Sequence, residues 1–169
     1  KLFDEHPGLA LLKEKIDAPP GEKIHLNGIF GSALTILTAL LFRQSDRNML
    51  VILPEREDAA FFYDDLVSLG LGEQVLYFPS SYKRSVRFGQ PDPENIMLRT
   101  EALTRLSSGE TPYLVVTHPE GLVEKVPAGD ILRNNTLTVS KGERISIEFI
   151  NEYLYAYGFD RVDFVSEPG

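Results

Sequence analysis

The 169-residue chain carries 17 Lys and Arg against 25 Asp and Glu, a formal net charge of −8, which opposes tight non-specific binding to nucleic acid because that affinity comes from basic side chains neutralising phosphates. It has no cysteine, so a disulfide framework, a thiol nucleophile and a thiolate metal site are all excluded; a reducing compartment, the cytoplasm, is expected. With 43% apolar and 25% charged residues the composition is that of a packed globular domain, and there is no run of about 18 apolar residues to span a bilayer.

In chain order, Lys23-Ile24-His25-Leu26 predicts a first strand, followed by a glycine-containing turn and an apolar helix through Ile36, Leu37, Leu40 and Leu41. Met49 to Leu53 predicts a second strand. The next helix carries Ala59, Phe62, Leu66 and Leu69 at helical spacing, with Gly70 placed for a left-handed cap. Gln74 to Phe78 predicts a third strand. A helix then opens at Asp92-Pro93, a capping residue followed by proline at the first helical position, and stops near Gly109. Its expected buried residues are Ile96, Leu103 and Leu106, with Arg99, Glu101 and Arg105 facing water. Tyr113 to Thr117 predicts a fourth strand. Strands alternating with helices imply an α/β fold, a parallel sheet with helices on both faces.

At Val126-Pro127-Ala128-Gly129-Asp130 the texture changes, which divides the chain into an α/β domain over residues 1–128 and a second unit over 129–169. The second unit predicts a strand at Thr136 to Val139, then a helix capped by Ser146 with Ile147, Ile150, Leu154 and Tyr157 on one face, ended by Gly158. A last strand is expected over Arg161 to Val165. About 40 residues are too few to close a core, so this unit reads as the start of a small α+β domain. The absence of a basic-then-apolar leader at Lys1 and the closing Glu167-Pro168-Gly169 carry the same expectation, that the chain is a fragment.

Gly28-Ile29-Phe30-Gly31-Ser32-Ala33-Leu34-Thr35, between the first predicted strand and its helix, has the spacing of a phosphate-binding loop, G-x-x-x-x-G-K-S/T. In a working loop the second glycine lets backbone amides close around the phosphates, and the lysine reaches the β- and γ-phosphates as a point charge. Those two positions are Ala33 and Leu34 here. Alanine adds a Cβ and leucine offers neither donor nor charge, so Thr35, the magnesium-ligand position, has no nucleotide to serve. Two readings stand side by side: a phosphate loop that has lost its chemistry, and a plain strand-turn-helix connection whose glycines serve tight geometry.

Gly28 to Thr35, together with Val51-Ile52-Leu53-Pro54, Asp58-Ala59-Ala60, Asp64-Asp65-Leu66, Val75 to Pro79, Tyr113 to Thr117, Gly121-Leu122, Lys141-Gly142-Glu143 and Tyr157 to Asp163, resembles the amino-terminal module of transcription-repair coupling factors. That module is itself similar to UvrB of bacterial nucleotide excision repair. The resemblance covers nearly the whole chain. It implies a degenerate P-loop, helicase-like domain without catalysis or cofactor, in a parent protein whose ATP-driven motor lies elsewhere and acts on DNA and on stalled RNA polymerase. It also implies that this region serves UvrA docking and restraint of the motor, with the UvrA contact residues beyond Gly169. UvrB places a long aromatic hairpin where this chain has only Pro79 to Asp92, too short for the same device. The alternatives are a fragment of an active nucleotide-binding helicase or UvrB-type enzyme, which Leu34 argues against, and a structural α/β domain with no partner role.

Tyr82, Lys83, Arg84, Arg87 and Phe88 form a small basic and aromatic group suited to a nucleic-acid or partner surface. The acidic total favours a solvated loop instead. His6, His25 and His118 are scattered, with no metal-ligand spacing, and His118 is expected at a strand end before Pro119. Glu55, Glu57, Asp58, Asp64 and Asp65 read as a solvated helix face, with Glu57 and Asp58 complementing the helix dipole. No metal site is expected.

Overall fold

The computed structural model describes residues 7–17, 23–82, 92–109, 111–129, 137 and 139–156. The chain divides into two compact units, Lys1–Lys125 and Val126–Gly169.

The first unit is built on three parallel strands, β1 (Met49–Ile52), β2 (Val75–Phe78) and β3 (Leu114–Thr117), in the order β1-β3-β2. Met49 and Val75 both lie opposite Leu114, and the register runs unbroken to Ile52, Phe78 and Thr117. β3 is central and buried at all four positions, which is why its sequence, Leu-Val-Val-Thr, is a continuous apolar run and not an alternating one. Helices α2 (Ser32–Arg43) and α3 (Arg56–Leu66) cover one face, where Ala39, Phe42, Ala59, Phe62 and Leu66 pack on Val75, Leu114 and Val116. Helix α4 (Pro93–Ser108) covers the other, with Ala102, Leu103 and Leu106 on Leu76, Phe78 and Val115. The remaining helices of this unit are α1 (Pro7–Asp17), packed on α2, and the short α5 (Pro119–Val123) after β3. Helices therefore lie on both faces of a small open parallel sheet.

Four expectations need correction. Lys23 to Leu26 forms no strand: the segment is exposed and pairs with none of β1, β2 and β3, and alternation alone does not make a strand without a ladder partner. Leu69 is exposed and Leu71 is buried instead, because helix α3 leaves its 3.6-residue repeat in a wide π-type turn over Val67–Leu71. Gly70 lies within that turn at φ 84°, ψ 26°, the left-handed conformation expected of it, and Arg43 Nη2 donates to the Leu69 carbonyl at 2.5 Å. Ile96 is exposed, and Arg99 is 95% buried, its residue exposure being 5%. Helix α4 turns the row Asn95, Arg99, Ala102, Leu106 toward the sheet, a four-three-four spacing, which leaves Ile96 on the flank. Asp92 and Gly109 sit at the ends of α4 as expected, Gly109 with φ 64° and ψ 16°.

In the second unit Lys141 and Gly142 form a turn, Gly142 at φ 96°. Ser146 caps helix α6 (Ile147–Ala156), its Oγ accepting from the Phe149 N–H at 3.0 Å. No residue of α6 is buried. Leu137 and Val139 are not in a strand; Thr136, Thr138, Tyr157, Gly158 and the strand expected over Arg161 to Val165 lie outside the described residues.

Gly121 in α5 is fitted against the ends of β2 and β3: a Cβ there would lie 2.7 Å from the Phe78 carbonyl oxygen, 2.8 Å from Thr117 Oγ1 and 3.2 Å from the Pro79 carbonyl carbon. Two of these are backbone atoms, which cannot swing aside. Gly121→Ala should destabilise the unit by about 1–3 kcal/mol, the usual range for overpacking, read as a lowered urea midpoint. An unchanged midpoint would show that α5 shifts freely.

Candidate functional site

The segment from Gly28 to Leu34 is a single turn leading into α2. Gly28 has φ 79°, and Gly31 has φ 55° with ψ −138°, combinations that glycine adopts without a Cβ clash. They lie between the Lys23–Asn27 stretch, which has no regular secondary structure, and the helix. Ala33 N–H donates to the Phe30 carbonyl at 3.3 Å and Leu34 N–H to the Gly31 carbonyl at 3.2 Å. Amides at the start of α2 are thus spent on carbonyls of their own turn. Residues 28–35 contain no Lys or Arg, and Phe30 at the tip is 81% exposed. Thr35 is separated from the mouth of the turn: it is buried, and its hydroxyl donates to Asp65 Oδ2 of α3 at 3.5 Å. Gly28, Gly31, Ser32, Ala33 and Leu34 therefore share the turn, while Thr35 belongs to the α2–α3 packing. On the α1 side an apolar groove of about 520 Å³ is lined by Leu9, Leu12, Leu26, Ile29, Ile36 and Leu37, among others.

A second constellation occupies the carboxyl ends of β2 and β3, the end at which open α/β sheets carry their sites. Arg99 reaches it from α4. Its Nη1 donates to the carbonyls of Pro79 at 2.7 Å and Gly121 at 2.8 Å, its Nε lies 3.5 Å from Glu124 Oε2, and its guanidinium carbon sits 4.1 Å over the Phe78 ring. Glu124 also accepts from Ser80 Oγ at 2.5 Å, Ser81 Oγ at 2.6 Å and the Ser81 amide at 2.9 Å. Burial pushes the Glu124 carboxyl up, but hydrogen bonds from Ser80 and Ser81 and the charge of Arg99 outweigh it and hold the group below the ordinary carboxylate range. His118, fully buried, accepts the Ser80 N–H on Nε2 at 3.2 Å and contacts Glu120 Oε2 through Nδ1 at 2.7 Å; the ring proton therefore sits on Nδ1. Thr117 Oγ1 donates to the Phe78 carbonyl at 2.6 Å.

This clamp was invisible to patterning because Arg99 reads as a helix-surface charge. The signal was its place in the same row as Ala102 and Leu106. Of the basic and aromatic group, Tyr82 is half exposed, and its carbonyl accepts from Arg56 Nη1 at 3.3 Å; Lys83, Arg84, Arg87 and Phe88 lie outside the described residues. The Asp92 amide donates to the Ser81 carbonyl at 2.7 Å, which brings the two ends of that interval together. His25 Nε2 lies 2.9 Å from Asn27 Oδ1. Glu57 and Asp58 occupy the first turn of α3, and Asp64 and Asp65 are exposed near its end. Among the described residues no three His, Asp or Glu side chains are gathered to hold a metal ion, and no helix is long and apolar enough to cross a membrane.

No protein-family model matches the chain. Over 144 residues, 85% of its length, it is 27% identical to the transcription-repair-coupling factor of Bacillus subtilis. The chain is similar to transcription-repair-coupling factors. Two more proteins of that name, from Rickettsia bellii and Rickettsia typhi, are each 23% identical over 70% and 69% of the chain. The matched part is a small share of these transcription-repair-coupling factors, 12%, 11% and 10% of their respective lengths.

The Glu124 clamp sets a pH dependence. An unfolded glutamate titrates near ~4.3 and the folded Glu124 lower, so its contribution to stability is complete above the unfolded value and is lost as pH falls through the folded one. Glu124→Gln should lower the urea midpoint at neutral pH and flatten the acid side of the stability profile below about pH 4.3. Parallel profiles for the two proteins would show that the carboxylate is not held ionised by its neighbours.

Proposed function

We propose that the chain is the amino-terminal, non-catalytic module of a transcription-repair coupling factor, acting by docking partners. The observation that carries this reading is the turn before α2, where Ala33 and Leu34 replace the glycine and lysine of a phosphate loop within a sequence similar to transcription-repair-coupling factors. Without a cation, with the Ala33 and Leu34 amides bonded to their own turn and with Thr35 bonded to Asp65, the segment has little to offer a triphosphate. No cofactor is assigned to the module. Its degenerate P-loop, helicase-like ancestry is part of the same reading. The parent is a cytoplasmic ATP-dependent translocase that engages DNA and displaces stalled RNA polymerase through other domains, while this region recruits UvrA and restrains the motor. The net charge of −8 agrees with a protein partner better than with DNA.

Calorimetric titration of the chain with magnesium and ATP should give no heat of binding, and Ala33→Gly with Leu34→Lys should not create an ATPase, because hydrolysis also needs a metal-holding acid and a group that positions water. Micromolar affinity for the nucleotide would overturn the non-catalytic reading.

UvrA should bind a version extended by about 60 residues, enough to complete a domain of ordinary size, and bind the chain itself far more weakly. Equal capture of both by immobilised UvrA would move the contact to within residues 1–169. Capture of neither would remove the docking function.

A further inference from the structure

Asn27 and Gly28 form the one Asn-Gly pair in the sequence, and they stand at the entrance to the turn before α2. In such a pair the glycine nitrogen can close on the asparagine side chain, because the backbone conformations that bring the two together meet no Cβ at the second residue. Both residues are exposed and outside regular secondary structure, and Gly28 has φ 79°.

The nucleophile is available and the electrophile is polarised. Among the described residues the Gly28 N–H has no hydrogen-bond acceptor. His25 Nε2 lies 2.9 Å from Asn27 Oδ1, and since a carbonyl oxygen only accepts, the ring nitrogen is the donor. That donor sits where negative charge collects on Oδ1 when the side-chain carbonyl carbon is attacked. The other described asparagines differ on the same two counts. After Asn48, the Met49 N–H is held by the Tyr113 carbonyl at 2.9 Å, and Asn48 Oδ1 itself accepts the Tyr113 N–H at 2.8 Å. After Asn95, which is buried, the Ile96 N–H is held by the Asp92 carbonyl at 3.0 Å. Asn151 lies within helix α6.

We propose that Asn27 is a site of spontaneous covalent modification, in which the Gly28 nitrogen attacks the Asn27 side-chain carbonyl carbon and His25 stabilises the oxygen. The Gly28 nitrogen gives up its proton to solvent, the new bond from nitrogen to Cγ closes a five-membered succinimide, and the side-chain nitrogen leaves as ammonia. Water then opens the ring at either carbonyl, giving aspartate or an isoaspartyl linkage that runs through Cβ. The balance is one water consumed and one ammonia released, with no oxidant or reductant. Either product puts a carboxylate where a neutral amide stood, beside Gly28 and on the rim of the apolar groove, which Asn27 helps to line. The isoaspartyl form also lengthens the main chain by one carbon just ahead of α2. The modification is independent of which partner the module docks.

Peptide mass analysis of the folded 169-residue chain, sampled during incubation in mildly alkaline buffer, tests the proposal. Conversion of amide to acid should occur at Asn27 before any of the other five asparagines, with isoaspartate, detected by an isoaspartate methyltransferase, among the products. Asn27→Gln should lose the reaction. His25→Ala should slow it in the folded chain and leave it unchanged in urea, where the bond to Oδ1 is absent from both proteins. Asn27 staying intact while other asparagines convert, or converting to aspartate alone, would overturn the cyclisation. Equal rates for the folded chain and folded His25→Ala would overturn the role of His25.

Discussion

A guanidinium removed from water must find acceptors, and the positions of those acceptors fix much of the first unit. Arg99 is held between the carbonyls of Pro79 and Gly121, which follow β2 and β3 respectively. One cation on α4 thus ties together the exits of two strands and lies over Phe78, the last residue of β2. Glu124 supplies the opposite charge and spends its remaining capacity on Ser80 and Ser81. Removing water from a lone Arg or a lone Glu would be costly; the pair persists because each charge is hydrogen-bonded as well as neutralised. Gly121 belongs to the same construction, since only a residue without Cβ lets its carbonyl approach Arg99 while its Cα rests against Phe78 and Thr117.

The clamp also settles where the chain departs from the sheet. Glu124 lies directly before the division between the two units at Lys125 and Val126, and Ser81 lies at the foot of the basic and aromatic interval, joined there to Asp92. Both points are thereby anchored to one carboxylate. Among the described residues the turn before α2 has no buried ion pair of this kind; it has two glycines at positive φ and the amide bonds of Ala33 and Leu34 to carbonyls of the same turn.

What the sequence revealed follows from what periodicity encodes. β3 and the buried stripe Ala59, Phe62, Leu66 were legible because both faces of a central strand, or one stripe of a helix, must be apolar whatever else happens. Gly70 and Gly109 were legible because left-handed turns favour glycine. The failures came where tertiary context overrode local pattern. Lys23 to Leu26 alternates as a strand does, yet a strand exists only with a partner, and no property of those four residues supplies one. Leu69 continued the helical spacing on paper, but the wide turn at Val67–Leu71 inserted Leu71 into the core in its place. Arg99 was assigned to water because charge is normally exposed, while its acceptors are backbone carbonyls 20 and 22 residues away in sequence, about which side-chain composition is silent.

On the reading proposed above, the turn before α2 is a motif that has outlasted its chemistry. Gly28 and Gly31 satisfy a requirement of the backbone, the positive φ angles of the turn that leads into α2, and that requirement holds with or without a nucleotide. The lysine position carries no such geometric duty. Its charge is useful only against a phosphate, and without one a lysine beside Phe30 and the apolar groove would hold a hydrated ammonium near surface suited to burial. Leucine at 34 and alanine at 33 agree with that surface, and Thr35, already turned toward Asp65, loses nothing. Two glycines at the spacing of a phosphate loop can thus be required by backbone geometry alone, and it is the side chains at 33 and 34, not the glycine spacing, that bear on whether such a turn can serve a nucleotide.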